Sequence, residues 1–257
     1  MIGQVHIITG AGRGIGLEVA QRVARKGGVP IMVARNAEQI EAAAAALRDE
    51  GLQAEAFVAD VTDIERTAEL VAHVRQSYGR IDGLINNAAS NHVANLLMSK
   101  EIEWHRIFDL NVFAVFRLTK LCLKAMVAAK YGRIVNLSSA AAKVGSPYNS
   151  IYSASKAAVD GFTRSLALEV ARLGITVNSV SPSYVDTELL RLGMGIRGKM
   201  IGQDAETFIA SVAEANPQRR LLQPGEVAAT IVHLLGAEAA GVTGQSWNVC
   251  GGVAMGM

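Results

Sequence analysis

The sequence has no excess of charge of one sign and no long apolar run. Its 25 basic and 23 acidic residues give a formal net charge of +2, without the basic run that is typical of nucleic-acid binding. No stretch approaches the uninterrupted apolar length that crosses a membrane. Because the chain enters an apolar strand-like run at once, we expect no signal peptide. These absences predict a cytoplasmic protein without nucleic-acid or membrane partners.

Cysteine and histidine are also scarce. The two cysteines, Cys122 and Cys250, lie far apart in the sequence and predict free thiols in a reducing compartment rather than a disulfide framework. The five histidines show no spacing typical of metal ligands. We therefore expect no metal site.

The chain is rich in apolar residues that alternate between two patterns. Of 257 residues, 50% are hydrophobic, which suffices for one large core. Strand-like runs alternate with helical stretches, and this alternation is typical of parallel strands joined by right-handed crossovers. It predicts an α/β fold with one doubly wound parallel sheet of about seven strands, helices on both faces, and a single domain over residues 1–257. The predicted strands are Val5–Thr9, Pro30–Ala34, Ala54–Ala59, Gly83–Asn86, Arg133–Ser138, Thr176–Ser181 and Ser246–Val249.

A glycine-rich turn follows the first predicted strand. The segment reads Gly10-Ala-Gly-Arg-Gly14-Ile-Gly16 and leads into a helical pattern. A strand, a glycine turn and a helix N-terminus together form an anion site, because free N–H groups and the helix dipole point into the turn. The spacing is TGxxxGxG rather than GxGxxG, since Ile15 stands where a third glycine would be. Glycine-rich turns also occur simply as turns, so this segment alone leaves cofactor binding open.

Tyr152 and Lys156 lie four residues apart in a stretch with a helical pattern. Residues at this spacing share one helix face. A nearby ammonium favours the ionised phenol and lowers its pKa from about 10 towards neutrality. The pair is a candidate proton-transfer device, although such a pair also occurs by chance on helices that pack against a core.

Ser139 ends the run RIVNLSS, which predicts a buried strand that leads into a turn. A hydroxyl at that point could hydrogen-bond a substrate oxygen. Serines after strands also satisfy backbone groups, and this is the interpretation that we keep for Ser138.

Together these segments resemble the short-chain dehydrogenase/reductase family over essentially the whole chain. Residues 9–16 are similar to its cofactor loop, residues 60–61 to its adenine-side contact and residues 86–88 to the motif after its fourth strand. The resemblance implies a Rossmann-type fold and a catalytic tetrad of Asn111, Ser139, Tyr152 and Lys156. The residues expected to contact the cofactor are Gly10, Arg13, Gly14, Ile15, Gly16, Arg35, Asp60, Val61, Asn87, Tyr152, Lys156, Val185 and Thr187.

The resemblance also implies a role for each member of the tetrad. Tyr152 donates a proton to the substrate oxygen, and Ser139 hydrogen-bonds the same oxygen. Lys156 holds the nicotinamide ribose and lowers the pKa of the phenol. Asn111 positions a water that passes protons towards Lys156; outside this context it would be no more than an irregularity in a helix.

The residues at the end of the second predicted strand bear on the choice of nicotinamide cofactor. An acidic side chain there bonds the adenine ribose of NAD(H), whereas a cation meets the 2′-phosphate of NADP(H). Here the position is Ala34, followed by Arg35, and Arg13 offers a second cation. With no carboxylate at this position, we expect NADP(H) rather than NAD(H). The alternative is that both arginines are solvated surface residues.

Four positions depart from the commonest pattern of the family: Ala89, Ala142, Ser183 and Cys250. Ser183 bears most on the cofactor, because glycine there permits backbone angles and a close approach to the nicotinamide that a side chain hinders. Since the tetrad is intact, we still expect a working enzyme.

Residues 220–227 and 248–252 are similar to those of aromatic-polyketide ketoreductases and 3-oxoacyl thioester reductases. The similarity implies NADPH-dependent reduction of a β-keto thioester or polyketide. Lys130 and Arg172 are candidate contacts for an acyl carrier protein or a coenzyme A phosphate, although isolated basic residues are usually only solvated.

Residues 188–217 form the least regular predicted segment, with four glycines between Gly193 and Gly202. In the family this segment resembles a mobile flap over the substrate. The alternative is an ordinary surface excursion. Its apolar residues would suit an acyl chain or simply pack; they are Leu189, Leu190, Leu192 and Met194.

Two other functions stay open at this stage. One is a dehydrogenase of a secondary alcohol, sugar or steroid that works in the oxidative direction. The other is a catalytically silent dinucleotide-binding sensor, against which the intact tetrad argues. The resemblance also implies a homotetramer built on the two long helices that carry Asn111 and Tyr152.

Overall fold

The computed structural model describes residues 1–255 and contains a parallel sheet of seven strands. The strands are β1 (Val5–Thr9), β2 (Val29–Ala34), β3 (Glu55–Val58), β4 (Gly83–Asn86), β5 (Gly132–Leu137), β6 (Ile175–Pro182) and β7 (Ser246–Val249). Their order is β3-β2-β1-β4-β5-β6-β7, and every neighbouring pair is parallel. The predicted doubly wound sheet is confirmed. The last two residues of the predicted domain lie outside the described part.

Helices cover both faces of this sheet. They are α1 (Gly14–Arg25), α2 (Ala37–Asp49), α3 (Ile64–Tyr78), α4 (Glu101–Phe108), α5 (Ala114–Ala129), α6 (Ser150–Val170), α7 (Glu188–Met200), α8 (Ala205–Ala215) and α9 (Pro224–Leu235). Buried residues of α1, α2 and α9 pack on one face, and those of α3, α5 and α6 pack on the other. Within residues 1–255, no helix combines the length and the apolar character that a membrane crossing requires.

The strands are continuous apolar runs because both of their faces are buried. Ile7 and Ile8 follow each other in β1, and both are fully buried. Ile7 belongs to the core with α3, α5 and α6, and Ile8 belongs to the core with α1, α2 and α9. Successive strand residues point to opposite faces, so a strand covered on both faces needs apolar residues throughout.

The segment 188–217 is more regular than the sequence predicted. Helices α7 and α8 fill most of it, and each begins at a capping residue: Thr187 accepts from the Leu190 amide, and Asp204 accepts from the Thr207 amide. Three of the four glycines lie inside α7. The prediction that this segment has the least regular backbone is therefore wrong, whereas its mobility stays a prediction.

A close approach explains one of these glycines. A β-carbon on Gly198 would lie 3.0 Å from the carbonyl oxygen of Gln203, at the turn that joins α7 to α8. The glycine therefore lets the chain turn back tightly on the helix.

The strand order places a crevice at one edge of the sheet. β1 pairs with β2 on one side and with β4 on the other, so the connections after β1 and β4 leave in different directions. In open α/β sheets, ligands bind at such a point, outside the carboxyl ends of the strands.

Candidate active site

A cleft of about 880 Å³ lies at the carboxyl ends of the strands. Among its lining residues are thirteen predicted site residues: Gly10, Arg13, Gly14, Ile15, Arg35, Asp60, Val61, Asn87, Ser139, Tyr152, Lys156, Val185 and Thr187. Two predicted residues, Gly16 and Asn111, do not line it. The fold thus gathers residues from most of the chain at one edge of the sheet.

The glycine loop is held close to the turn after β4. Asn87 Nδ2 donates to the carbonyl oxygens of Thr9 and Gly10, at 2.8 and 3.1 Å. A β-carbon on Gly16 would lie 2.6 Å from Asn87 Nδ2 and would also meet the Gly10 carbonyl. Gly16 therefore serves the packing of α1 behind the loop rather than the surface of the cleft.

The first turn of α1 offers free N–H groups to an anion. The residue that precedes it, Arg13, has extended backbone (φ −162°, ψ 172°) and makes no side-chain cap, and no acidic residue lies in the first turn. A helix without these partners leaves its first amides and the positive end of its dipole for a ligand. The site therefore fits the diphosphate of a dinucleotide.

Arg35 lies beside the carboxylate of Asp60, a contact that the sequence did not predict. Its Nη1 is 3.6 Å from Asp60 Oδ2, and 72% of its side chain is exposed. Asp60 Oδ1 accepts from the Thr62 amide at 2.9 Å and from the Thr62 hydroxyl at 2.7 Å. Burial tends to raise the pKa of Asp60, but the Thr62 bonds and Arg35 outweigh it, so the pKa is lowered. Ala34 itself carries no charge, but the turn after β3 places the Asp60 carboxylate beside Arg35.

Arg13 is also paired. Its Nη1 contacts Glu188 Oε2, the carboxylate of the first residue of α7. Both side chains are about half exposed, so the pair is solvent-screened and weak. The Thr187 methyl would lie 3.4 Å from a β-carbon on Gly14. These contacts bring the start of the predicted flap against the cofactor loop.

Tyr152 and Ser139 meet where β5 and α6 face the cleft. Burial raises the pKa of the Tyr152 phenol, and a hydrogen bond with the Ser139 side chain partly offsets this rise. Ser139 Oγ also accepts from the Ala141 amide at 3.1 Å, at the start of a short 3₁₀ turn. Burial outweighs this hydrogen bond, so the pKa of the phenol is raised in this structure; the lowering of that pKa by Lys156 stays a prediction.

Lys156 lies one helical turn after Tyr152 and is buried. Its Nζ donates to the Leu137 carbonyl at 2.7 Å and lies 5.8 Å from the centre of the Tyr152 ring. Burial lowers the pKa of Lys156 to about 8, and the charge of Asp160 opposes this shift. Near neutral pH the side chain is an ammonium, and it loses its proton more readily than a solvated lysine does.

Asn111 lies in a π-helical turn, Asp109–Phe113, that joins α4 to α5. Its Oδ1 accepts from the Ser90 amide at 3.0 Å, and its Nδ2 donates to the Ser90 carbonyl at 2.9 Å and to Ser155 Oγ at 3.1 Å. The side chain ties the loop after β4 to α6, behind Tyr152. π-Turns inside α-helices are frequent at functional sites, and this one marks the predicted position.

Comparison with known proteins identifies the family. The short chain dehydrogenase family model matches residues 4–192. The chain belongs to the short-chain dehydrogenase family. It is an oxidoreductase that uses a nicotinamide dinucleotide cofactor, so the predicted family and enzyme class are confirmed.

Relatives and solved structures of the short-chain dehydrogenase family extend over nearly the whole chain. The 3-oxoacyl-[acyl-carrier-protein] reductase FabG of Pseudomonas aeruginosa is 35% identical and covers 98% of this chain and 98% of its own length. A variant of actinorhodin polyketide ketoreductase, solved with NADPH, is 37% identical with a TM-score of 0.95, covering 98% of this chain and 97% of that one. An NAD⁺-bound xylitol dehydrogenase is 31% identical with a TM-score of 0.93, covering 98% and 99%.

Two departures from the short-chain dehydrogenase pattern are accommodated locally. Ser183 is absent from the described residues with positive φ, so its backbone needs no glycine. Its hydroxyl donates to the Cys250 carbonyl at 2.9 Å and so is already hydrogen-bonded within the protein. Cys250 Sγ in turn accepts from the Ala254 amide at 3.4 Å. Both residues fasten β6 to the C-terminal turn.

Several residues that line the cleft of this short-chain dehydrogenase were not predicted from the sequence. Asn36 and Gln39 border the cleft beside Arg35. Asn36 caps α2 by accepting from the Gln39 amide, and an Asn three residues before Gln is a recognisable start signal. Val144 and Val253 form an apolar wall on the other side. No sequence signal joins two valines so far apart.

Lys130 and Arg172 lie away from the cleft of their own chain. Lys130 ends α5 just before β5, and Arg172 follows α6 just before β6. Both therefore occupy the amino edge of the sheet, whereas the cleft opens at the carboxyl edge.

Among residues 1–255 there is no group of three or more His, Cys, Asp or Glu that could hold a metal ion.

Proposed function

We propose that this protein uses NADPH to reduce the β-keto group of a 3-oxoacyl thioester or polyketide to a secondary alcohol. The observation that carries the proposal is the meeting of Ser139, Tyr152 and Lys156 at one wall of a cleft whose other end is the glycine loop. Ketone reduction is supported by the relatives, which include a 3-oxoacyl-[acyl-carrier-protein] reductase and a polyketide ketoreductase.

The side chains divide the work of proton transfer. When bound, the nicotinamide supplies a hydride to the carbonyl carbon. Tyr152 gives its proton to the carbonyl oxygen, and Ser139 hydrogen-bonds that oxygen as it gains negative charge. Lys156 holds the nicotinamide ribose and favours the phenolate that Tyr152 leaves behind. Asn111 positions a water that passes protons towards Lys156.

The preference for NADPH rests on the two arginines at the adenine end of the cleft. A guanidinium suits a 2′-phosphate because its forked donors match the phosphate oxygens. In this structure Arg35 and Arg13 face Asp60 and Glu188, so a phosphate has to displace two exposed and weak ion pairs. NADPH in the actinorhodin ketoreductase supports this preference, and NAD⁺ in the xylitol dehydrogenase supports the other.

The flap and the apolar wall form the substrate end. Leu189, Leu190 and Met194 line the cleft, as an acyl-binding flap requires, whereas Leu192 is 59% exposed on the outer side of α7. We include residues 188–217 in one cofactor-binding domain as a segment that moves when substrate enters. The proposed assembly is a cytoplasmic homotetramer, with an acyl carrier protein or coenzyme A bearing the substrate.

The deciding measurement is the initial rate of NADPH oxidation on acetoacetyl coenzyme A, with NADH in parallel. We expect turnover with NADPH well above that with NADH. Arg35→Ala should lower the NADPH-to-NADH ratio of kcat/KM by about tenfold or more, since a charged hydrogen bond contributes roughly 1.5–3 kcal/mol. Lys100→Ala, which removes a cation outside the cleft lining, is the matched control.

Failure with both cofactors on β-keto thioesters, in an enzyme that still binds them, would contradict the substrate assignment. The second candidate is then the oxidation of a sugar alcohol with NAD⁺, which the similarity to xylitol dehydrogenase favours. Xylitol and NAD⁺ provide the corresponding assay.

A further inference from the structure

Asp160 is a buried carboxylate that the proposed mechanism does not use. It lies on α6 one turn after Lys156, and only 6% of the residue is exposed. A carboxylate in such a place needs hydrogen bonds or an opposite charge, because burial removes its hydration. The side chains that face it therefore indicate what it does.

Hydroxyl groups from two strands hold this carboxylate. Ser179 Oγ on β6 donates to Asp160 Oδ1 at 2.6 Å, and Ser246 Oγ on β7 approaches the same oxygen at 3.4 Å. Ser246 Oγ is also 3.0 Å from Ser181 Oγ. These bonds fix the position of the carboxylate against the sheet but leave its negative charge uncompensated.

Lys156 is a buried positive charge on the same helix face as the buried negative charge of Asp160. The residue is 3% exposed, and its Nζ donates to the neutral Leu137 carbonyl on β5. In the sheet, Leu137 pairs with Val180, the residue after Ser179. Side chains four residues apart on a helix have β-carbons about 5–6 Å apart. The two buried charges are therefore anchored on adjacent strands, close to each other and without a direct ion pair.

The other charged groups around Asp160 are placed differently. Lys143, after the turn that follows β5, directs its Nζ to Asn248 Oδ1 at 2.6 Å and to the Ser246 carbonyl at 3.2 Å. Arg164 lies one turn further along α6 and is exposed. Among the cations of the described chain that approach Asp160, Lys156 is the one that is itself buried beside the catalytic phenol.

We propose that Asp160 is a positioning residue for Lys156. The fixed negative charge of Asp160 keeps the buried Lys156 ammonium protonated at the pH of catalysis. Asp160 does not line the cleft, so it acts through Lys156, which does. The proposal rests on the proposed function, in which the Lys156 ammonium holds the ribose and supports Tyr152.

The direction of the electrostatic effect follows from the surroundings. Burial lowers the pKa of Lys156 to about 8, and Asp160 is the charge that opposes this shift. Removal of the carboxylate charge lowers the lysine pKa further, by about one to two pH units, since the two side chains start from β-carbons about 5–6 Å apart in a protein interior. At pH 8 the protonated fraction, about one half in wild type, should then fall by about fivefold for a shift of one unit and about fiftyfold for a shift of two.

The test compares wild type with Asp160→Asn in two pH series. The first is the affinity for NADPH, measured by fluorescence titration from pH 6 to 10, and the second is kcat/KM for reduction of acetoacetyl coenzyme A. We expect the alkaline loss of both to move about one to two units towards lower pH in the variant. Asp63→Asn, which changes an exposed helix-capping aspartate by the same atoms, should leave both profiles in place.

An alkaline limb at the same pH in Asp160→Asn as in wild type would overturn the proposal, even if the melting temperature fell. Should Asp160→Asn not fold, the double variant Asp160→Leu/Ser179→Ala removes the charge together with the hydroxyl that depends on it, and the same comparison applies. The NADPH titration needs no substrate. A wild type that binds NADPH but reduces no β-keto thioester would therefore refute the proposed function while this titration still decides the role of Asp160.

Discussion

Tyr152 is the residue on which the proposed chemistry depends most directly. Replacement by phenylalanine removes the proton donor and keeps the ring, so kcat should fall by about 10²–10⁴-fold, the usual contribution of a positioned acid. The Kd for NADPH should stay within about threefold. Stopped-flow rates and fluorescence titration measure the two quantities. Turnover that persists at the wild-type rate would remove Tyr152 from its role.

His6 is a second residue with a defined titration, far from the cleft. It is fully buried in β1, and neither ring nitrogen has a hydrogen-bond partner among the described residues. Burial lowers the pKa of His6 from 6.5 to about 4, with Asp82 opposing the shift and the N-terminus and Arg80 adding to it. The folded protein therefore keeps His6 neutral at pH values where an unfolded chain protonates it.

This shift predicts acid sensitivity with a definite window. The contribution of a neutral His6 is fully present above pH 6.5, and it is lost as the pH falls towards about 4. Over that interval the free energy of unfolding should drop by about 3 kcal/mol from this group alone. Urea unfolding at a series of pH values measures it.

The matched variants for this prediction are His6→Leu and His105→Gln. His6→Leu should flatten the pH dependence between 6.5 and 4, whereas His105→Gln, which changes an exposed imidazole on α4, should leave the slope as it is. An unchanged slope in His6→Leu would contradict the assignment.

At the residue scale, local patterns were predictable and distant charge pairs were not. The four-residue spacing of Tyr152 and Lys156 and the serine after β5 could be predicted because each depends on neighbours in the chain. The carboxylate beside Arg35 belongs to Asp60, which only the sheet brings near. The lowered pKa of Lys156 could not be predicted either, because it depends on burial that only the tertiary structure creates.

At the scale of elements, the unit made of β1, the glycine loop and α1 tolerates no side chain at Gly16. In Gly16→Ala the new methyl would meet the Gly10 carbonyl and Asn87 Nδ2, so the loop must shift. We expect a loss of about 1–3 kcal/mol in the free energy of unfolding, as in overpacked sites, and weaker binding of NADPH. Thermal melting and fluorescence titration are the measurements.

Gly161→Ala is the control for this substitution. Gly161 lies in the middle of α6, and the nearest atom to an added β-carbon is Arg164 Nη2, at 4.0 Å. With open space and helical backbone, alanine should stabilise the protein by about 0.5–1 kcal/mol. Equal effects at the two glycines would contradict the packing role of Gly16.

Elements with strong periodicity were predicted to within a residue or two. The limits of β1, β4 and β7 match the sequence prediction, because turn-forming residues lie close to the ends of each short run. Helix α7 was not predicted, since glycines lower helix propensity and the close approach at Gly198 is a tertiary effect. Helix α8 was not predicted either, although it contains no glycine. The π-turn at Asn111 was also missed, because no residue type signals an extra residue in a helical turn.

At the scale of the whole molecule, exposed apolar side chains on the π-turn before α5 and on α6 support the proposed tetramer. Phe116 stacks on Phe162 with ring centres 4.2 Å apart, and Phe113 meets Phe116 edge-on at 6.4 Å. Phe113 is 49% exposed and Leu168 is 84% exposed. Exposed apolar side chains on the elements that carry Asn111 and Tyr152 suit contact with a second copy of the chain.

The tetramer predicts a defined response to charge on this surface. In the double variant Phe113→Asp/Leu168→Asp, light scattering should show species smaller than the four-chain particle expected for wild type. Ile64→Asp, at a residue that is 62% exposed on α3, should leave the particle intact. A wild type that is monomeric at micromolar concentration would refute the assembly.

The order of the strands also has a consequence for how such a chain can diversify. The loops after β1, β2, β3 and β4 supply the dinucleotide end of the cleft, and all of them come from the first part of the sequence. The loops after β5, β6 and β7 supply the catalytic wall, the flap and the apolar wall at Val253. A single genetic recombination event between β4 and β5 would therefore combine the cofactor specificity of one gene with the substrate specificity of another. The architecture of the sheet would stay the same.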